Sequence, residues 1–137
     1  MAYEMRTEGG VLKIVFSGTF TNADMSRAAT ELVEVEASSD IVPHRSADLR
    51  PVDRLEIDFK GVFGVTDARR RRNLRNPIKT AIIASDIVQF GFARMFQTLN
   101  DHPQIVIAIF GNDESAHQWL PLADLRPPEV AWHPRLS

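Results

Sequence analysis

The sequence predicts one α/β domain: a mixed five-stranded sheet with about four helices, in the order β-β-α-β-α-β-α-β-α. Three observations carry this. Ile105–Phe110 is a short run of apolar, mostly β-branched residues with no polar alternation, which reads as a strand covered on both faces. A second apolar run, Ala81–Ala84, precedes it by a helical pattern, and strand, helix, strand in about 30 residues is a parallel crossover. Near the start, Gly9-Gly10 separates two strand patterns and signals an antiparallel hairpin.

In order, Tyr3–Glu8 and Val11–Ser17 read as the hairpin strands, with Leu12, Ile14 and Phe16 on one face. Gly18-Thr19-Phe20 reads as a turn. Thr21 or Asn22 is the expected N-cap of the first helix, with Asp24 completing a capping box. Met25, Ala28, Ala29, Leu32 and Val33 then form one apolar stripe, Asp24, Arg27, Glu31 and Glu34 the wet side, and the helix is expected to end near Ala37-Ser38-Ser39. Ser39–Val52, polar and bounded by prolines, reads as an insertion loop anchored by Ile41-Val42.

Leu55–Phe59 alternates and reads as the third strand, followed by a glycine-containing loop over 60–66. Asp67–Arg75 is expected as a short helix capped by Thr66 and stopped at Asn76-Pro77. Lys79–Ala84 is the fourth strand, and Ser85-Asp86 caps a helix marked by Val88, Phe92, Met95, Phe96 and Leu99. After Ile105–Phe110, Gly111 or Asn112 caps a last helix whose inner face is Ala116, Trp119 and Leu120. Residues 1–121 form the expected domain. Residues 122–137 are a proline-rich, extended tail whose Trp132 is expected to dock on the domain or on a second subunit.

At 137 residues the chain is long enough for one real core. It has no cysteine, so disulfides and thiolate chemistry are excluded, and a reducing cytoplasm is the expected compartment. The start does not read as a signal peptide, and no apolar run has the length of a membrane helix. A net charge of −2 argues against nucleic-acid binding by bulk charge.

The Gly-x-Phe-Thr turn at Gly18–Thr21, Leu55–Gly61, Ala81–Ala84, and Phe110 with Ala116–Leu120 together resemble the STAS fold of anti-sigma-factor antagonists. Over residues 5–120 the chain is more similar to the SpoIIAA-like group of small bacterial proteins. The resemblance implies a regulatory or binding module. It aligns Thr66 with a phosphoacceptor position, although Val65 stands where the family motif has Asp and the downstream Gly is missing. It also implies an architecture like that of lipid-carrying domains.

Five arginines, Arg69, Arg70, Arg71, Arg72 and Arg75, fall within seven residues. On a helix with Leu74 turned inward, Asp67, Arg70 and Arg71 share its face while Arg69 and Arg72 point away. Such a segment is a solvated basic helix or an anion site, for which guanidinium forks are suited. Phe63, Phe90, Phe92 and Phe96 with Met95 are expected to line a pocket beside it, and Gly91 to admit a close approach. The candidate ligand- or partner-binding residues are therefore Arg69–Arg72, Phe63, Phe90 and Phe92. Asp58, Asp86 and Asp113 sit where strands end and read as caps rather than metal ligands, and His44, His102, His117 and His133 lack ligand spacing. With no hydrolase, phosphate-loop or dinucleotide motif, no catalytic residue, metal or cofactor is expected. The expectation is a non-enzymatic module, a homo-oligomer and most simply a dimer, acting through a protein partner or a small anionic ligand. The alternative is a carrier of an amphipathic molecule with its acidic head on the arginines and its tail among the phenylalanines. An unrecognised enzyme and a phosphorylation-switched antagonist rank below both.

Overall fold

A computed structural model describes residues 2–128. The elements are β1 (Tyr3–Glu8), β2 (Val11–Phe16), β3 (Gly18–Thr21), α1 (Asn22–Ser38), β4 (Arg45–Asp48), β5 (Val52–Glu56), α2 (Phe59–Arg70), β6 (Ile78–Ile83), α3 (Ile87–Leu99), β7 (Ile105–Phe110) and α4 (Asp113–Trp119). The main sheet has five strands in the order β1-β2-β4-β6-β7, antiparallel at β1–β2 and parallel elsewhere. This is the mixed five-stranded sheet with four helices that the sequence predicts, in the predicted order of main-sheet strands and helices. Gly9 and Gly10 have φ of 60° and 79°, and close the β1–β2 hairpin in the left-handed region that glycine adopts without strain.

Alternation along the strands separates two cores. On one face Ile14, Phe16, Ile78, Ile82, Ile105, Ile107 and Ile109 meet Met25 and Ala28 of α1, Val62 and Val65 of α2, and Ala93 of α3. On the other, Ala81, Ile83, Ala108 and Phe110 meet Ala116 and Trp119 of α4. β6 and β7 are therefore buried on both sides, which is why they read as continuous apolar runs. Thr21 caps α1 with a full capping box to Asp24, as expected. Asp24 itself is buried rather than on the wet side.

The middle of the chain departs from expectation. The loop assigned to Ser39–Val52 contains β4, a central strand between β2 and β6. Its sequence, Arg-Ser-Ala-Asp, carries no large apolar residue, and it opens with Arg45, buried and paired with Glu36 rather than exposed. Val42 anchors the approach to β4, but Ile41 is exposed. The predicted turn Gly18–Phe20 is β3, and it pairs in parallel with β5 as a separate two-stranded sheet. The predicted third strand, Leu55–Phe59, is thus shifted: β5 is Val52–Glu56, outside the main sheet, and Asp58 caps α2, accepting from the Gly61 N–H at 2.8 Å.

The segment 60–66, expected as a loop, forms the first turns of α2, and α2 ends at Arg70 rather than running on to Arg75. Two glycines concealed the helix, since glycine is among the poorest helix formers. Gly61 has a structural reason. A Cβ there would overlap the Asn22 carboxamide, whose Nδ2 donates to Asp58 Oδ1 at 3.1 Å. Gly61→Ala is accordingly expected to destabilise by about 1 kcal/mol, despite the helix-propensity gain of about that size. In an Asn22→Ala background the same change should turn stabilising. A urea-unfolding double-mutant cycle checks the reversal.

Candidate functional site

Three charged residues from three elements meet at the edge where the parallel strands begin. α1 brings Glu36 in its last turns, β4 opens with Arg45, and α2 ends with Arg69 facing inward. Arg69 grips Glu36 with both terminal nitrogens, Nη1 to Oε1 at 3.2 Å and Nη2 to Oε2 at 2.5 Å. Arg45 Nη1 donates to Glu36 Oε2 at 2.9 Å. The side chains are 5% (Glu36), 3% (Arg45) and 11% (Arg69) exposed, so the group is desolvated. Burial pushes the Glu36 carboxyl up, but the guanidiniums of Arg69 and Arg45 outweigh it and hold it below the ordinary glutamate range. Burial brings Arg45 down to about 10, against the pull of Glu36, which leaves it charged at neutral pH.

Beside this group lies a partly open cavity of about 100 Å³ between the sheet and helices α1, α2 and α3. Arg45 and Arg69 line it together with Ile14, Phe16, Phe20, Met25, Phe92, Phe96 and Ile107. The walls are predominantly apolar. Phe92 stands edge-on to Phe20 at 5.7 Å between ring centroids, and Phe20 lies 4.3 Å from Phe16. The arrangement is a small apolar chamber with a cationic group at the strand-start edge. Two donors of Arg45, Nε and Nη2, are buried without a partner among the described residues.

The candidate residues read from sequence separate. Arg69 reaches the cavity, reversing the expected inner face: the helix begins earlier, and Val62, Val65, Thr66 and Arg69 turn inward at helical spacing. Arg70 and Arg71 both pair with Asp67, expected on the inner face with them, and are exposed. Arg72 lies beyond the helix with an exposed side chain, its carbonyl accepting from His102 Nε2, and Arg75 donates to the carbonyls of Ala37 and Ser39. The arginines thus do not form one basic face. Arg72 and Arg75 instead border a second hollow of about 120 Å³ near the end of α1.

Thr66 is not an N-cap. It sits inside α2, buried, donating its hydroxyl to the Val62 carbonyl at 3.0 Å. Phe92 and Phe96 line the cavity as expected, whereas Phe63, Phe90 and Met95 do not. Phe90 packs against the main core, and Phe63 is exposed, stacked on Phe59 at 6.0 Å. Gly91 faces open space. Asp58 and Asp86 are helix caps, as read, and Asp113 lies in the first turn of α4, which Asn112 caps. His44 Nδ1 accepts from the Lys79 N–H at 2.9 Å; burial, Lys79 and Arg45 lower its pKa and keep it neutral for that bond. His133 and Trp132 lie outside the described residues. Among the described residues no acidic and histidine groups are arranged to hold a metal, and no helix is long and apolar enough to cross a membrane.

Sequence reasoning missed Arg45, Glu36, Phe16 and Phe20 as site residues. A usable signal was present: an arginine between two short apolar anchors, Val42 and Leu49, in a stretch longer than most loops that carry no secondary structure of their own. No protein-family model matches the chain, and no curated protein matches it.

Proposed function

We propose that this protein is a non-enzymatic binding module whose cavity takes a small amphipathic anion. The single observation behind this is the placement of Arg45 and Arg69 in the lining of an otherwise apolar chamber. Ligand sites are typically concave and mostly apolar, with a few convergent polar groups that fix orientation. This reading keeps the anion role foreseen for the arginines but moves it from an exposed basic helix to Arg69 and the unforeseen Arg45. It also fits the architecture implied by the SpoIIAA-like resemblance, in a cytoplasmic protein acting as a homo-oligomer. A phosphorylation switch at Thr66 would require α2 to open, because that hydroxyl is buried and engaged.

Native mass spectrometry of freshly purified protein tests the proposal. The expected result is a small bound mass that disappears in Ala47→Leu, where the added carbons fill the chamber that Ala47 lines. A clean apo mass, together with no thermal shift from small carboxylic or phosphoric esters and acids, would sink it. A second reading, docking of a protein partner, is favoured by Phe59, Phe63, Ile87 and Val88. All are exposed on the first turns of α2 and α3.

A further inference from the structure

We infer that the head group received by this cavity is a single carboxylate, gripped side-on by Nε and Nη2 of Arg45; this rests on the binding function proposed above. The argument starts from which donors are used. Arg45 is 3% exposed and lines the cavity, and among the described residues only its Nη1 is bonded, to Glu36. Its Nε and Nη2 are buried with no partner among the described residues. A buried donor left unpaired is costly, and two on one guanidinium are unusual in a folded core.

These two donors are a matched pair. On a planar guanidinium, Nε–H and one Nη2–H point the same way, spaced for the two oxygens of a carboxylate. Among the described residues this edge is used twice in the same way. Arg50 holds Asp48 through Nε at 3.0 Å and Nη2 at 2.8 Å, and Arg126 holds Asp124 through Nε at 3.1 Å and Nη2 at 2.7 Å. Arg45 lines the cavity, and among the described residues no carboxylate is paired with this edge of its guanidinium.

Charge selects the valence. Two guanidiniums, Arg45 and Arg69, share one carboxylate, Glu36, so the buried group carries one net positive charge. A monoanion neutralises it, whereas a phosphate ester, near −2 at neutral pH, leaves an excess negative charge in an apolar chamber. Size selects the body. A dry apolar cavity of about 150 Å³ accepts benzene. The smaller volume here, about 100 Å³, suits a chain of a few carbons lying toward Phe16, Phe20 and Phe92. The ligand class is a short monocarboxylic acid.

Butyrate, its uncharged isostere butyramide and propyl phosphate serve as probes on the full-length protein, with binding read by NMR titration. Butyrate is expected to bind at least about tenfold more tightly than butyramide, the preference of a charge-assisted over a neutral pair. Arg45→Met should erase the preference, and Arg45→Lys, which keeps the charge but loses the fork, should reduce it. Arg45→Met leaves Glu36 its two bonds to Arg69, so a folded protein is expected, and circular dichroism checks it. Should that variant not fold, the probe ranking on the native protein and Arg45→Lys still decide. Butyramide binding as tightly as butyrate overturns the carboxylate assignment while leaving the cavity's binding function intact. Propyl phosphate binding best overturns the monoanion. No binding by any probe, with a clean apo mass, overturns both readings together.

Discussion

Replacing Glu36 by glutamine is expected to lower stability by about 3 kcal/mol. Among the described residues Glu36 is the only anion between Arg45 and Arg69, and it accepts three hydrogen bonds from them. Glutamine keeps the volume but leaves two like charges facing each other in a desolvated place. Breaking a buried pair by removing one partner costs about 3–5 kcal/mol. The lower end applies because Arg69 is 11% exposed and has a route toward solvent. For a chain of this length the loss corresponds to a fall in Tm of about 10 °C by calorimetry. Arg45→Met on its own should cost far less, since it removes the charge that is hardest to bury and leaves a balanced pair. Adding Arg45→Met to Glu36→Gln should recover part of the loss, because the surviving arginine no longer faces a second charge.

Acid gives an independent check. The folded carboxyl of Glu36 titrates below the ordinary value of 4.5, so the unfolded chain binds its proton first as pH falls. The contribution is therefore fully present above about pH 4.5 and is lost as pH falls from there through the folded value. The glutamine variant should lack that part of the acid slope. Equal stability of the two proteins at pH 7, or an unchanged slope, would show that the triad contributes nothing.

The site and the fold were legible to different degrees for one physical reason. Where local chemistry and global burial agree, the sequence is transparent: the Ile105–Phe110 strand, the Thr21–Asp24 capping box and the Asp86 cap are all found where expected. Where the fold buries charge, local rules mislead. β4 begins with a buried arginine, so a central strand looks like a solvated loop. α2 carries Gly61 against Asn22 and directs Arg69 inward, so its first turns look like a loop and its register is misread. Both misread segments supply the residues of the candidate site. Conflicts between local propensity and fold are expected to gather where function resides. Here, among the described residues, the conflict at Arg45 has no compensating partner beyond Glu36, and that imbalance supports the binding proposal.

A second buried cation allows the same physics to be tested away from the cavity. Lys79 is fully buried on the opposite face of the sheet, donating Nζ to the Trp119 carbonyl at 2.7 Å and the Leu122 carbonyl at 2.8 Å. Its ammonium also lies 4.7 Å from the Trp119 ring centroid, an attractive arrangement in a desolvated place. The two carbonyls end α4 and begin the segment after it, so one cation closes the helix that covers β6 and β7. Lys79→Met keeps the stem and removes the donor, leaving both carbonyls short of a partner. Hydrogen bonds to a charged group are worth roughly 1.5–3 kcal/mol each. Burial lowers the Lys79 pKa, only partly offset by Asp124, so some of that energy is spent on keeping the charge desolvated. The net expected loss is therefore about 2 kcal/mol, or a fall in Tm of about 7 °C. Loosening should begin at α4, since its Trp119 packs on Phe110 with centroids 5.6 Å apart. Hydrogen exchange of the β6–β7 amides should accelerate before that of β1–β2. If Lys79→Met were as stable as the native protein, desolvation of the ammonium would equal all that its bonds return, and α4 would be held by apolar packing alone.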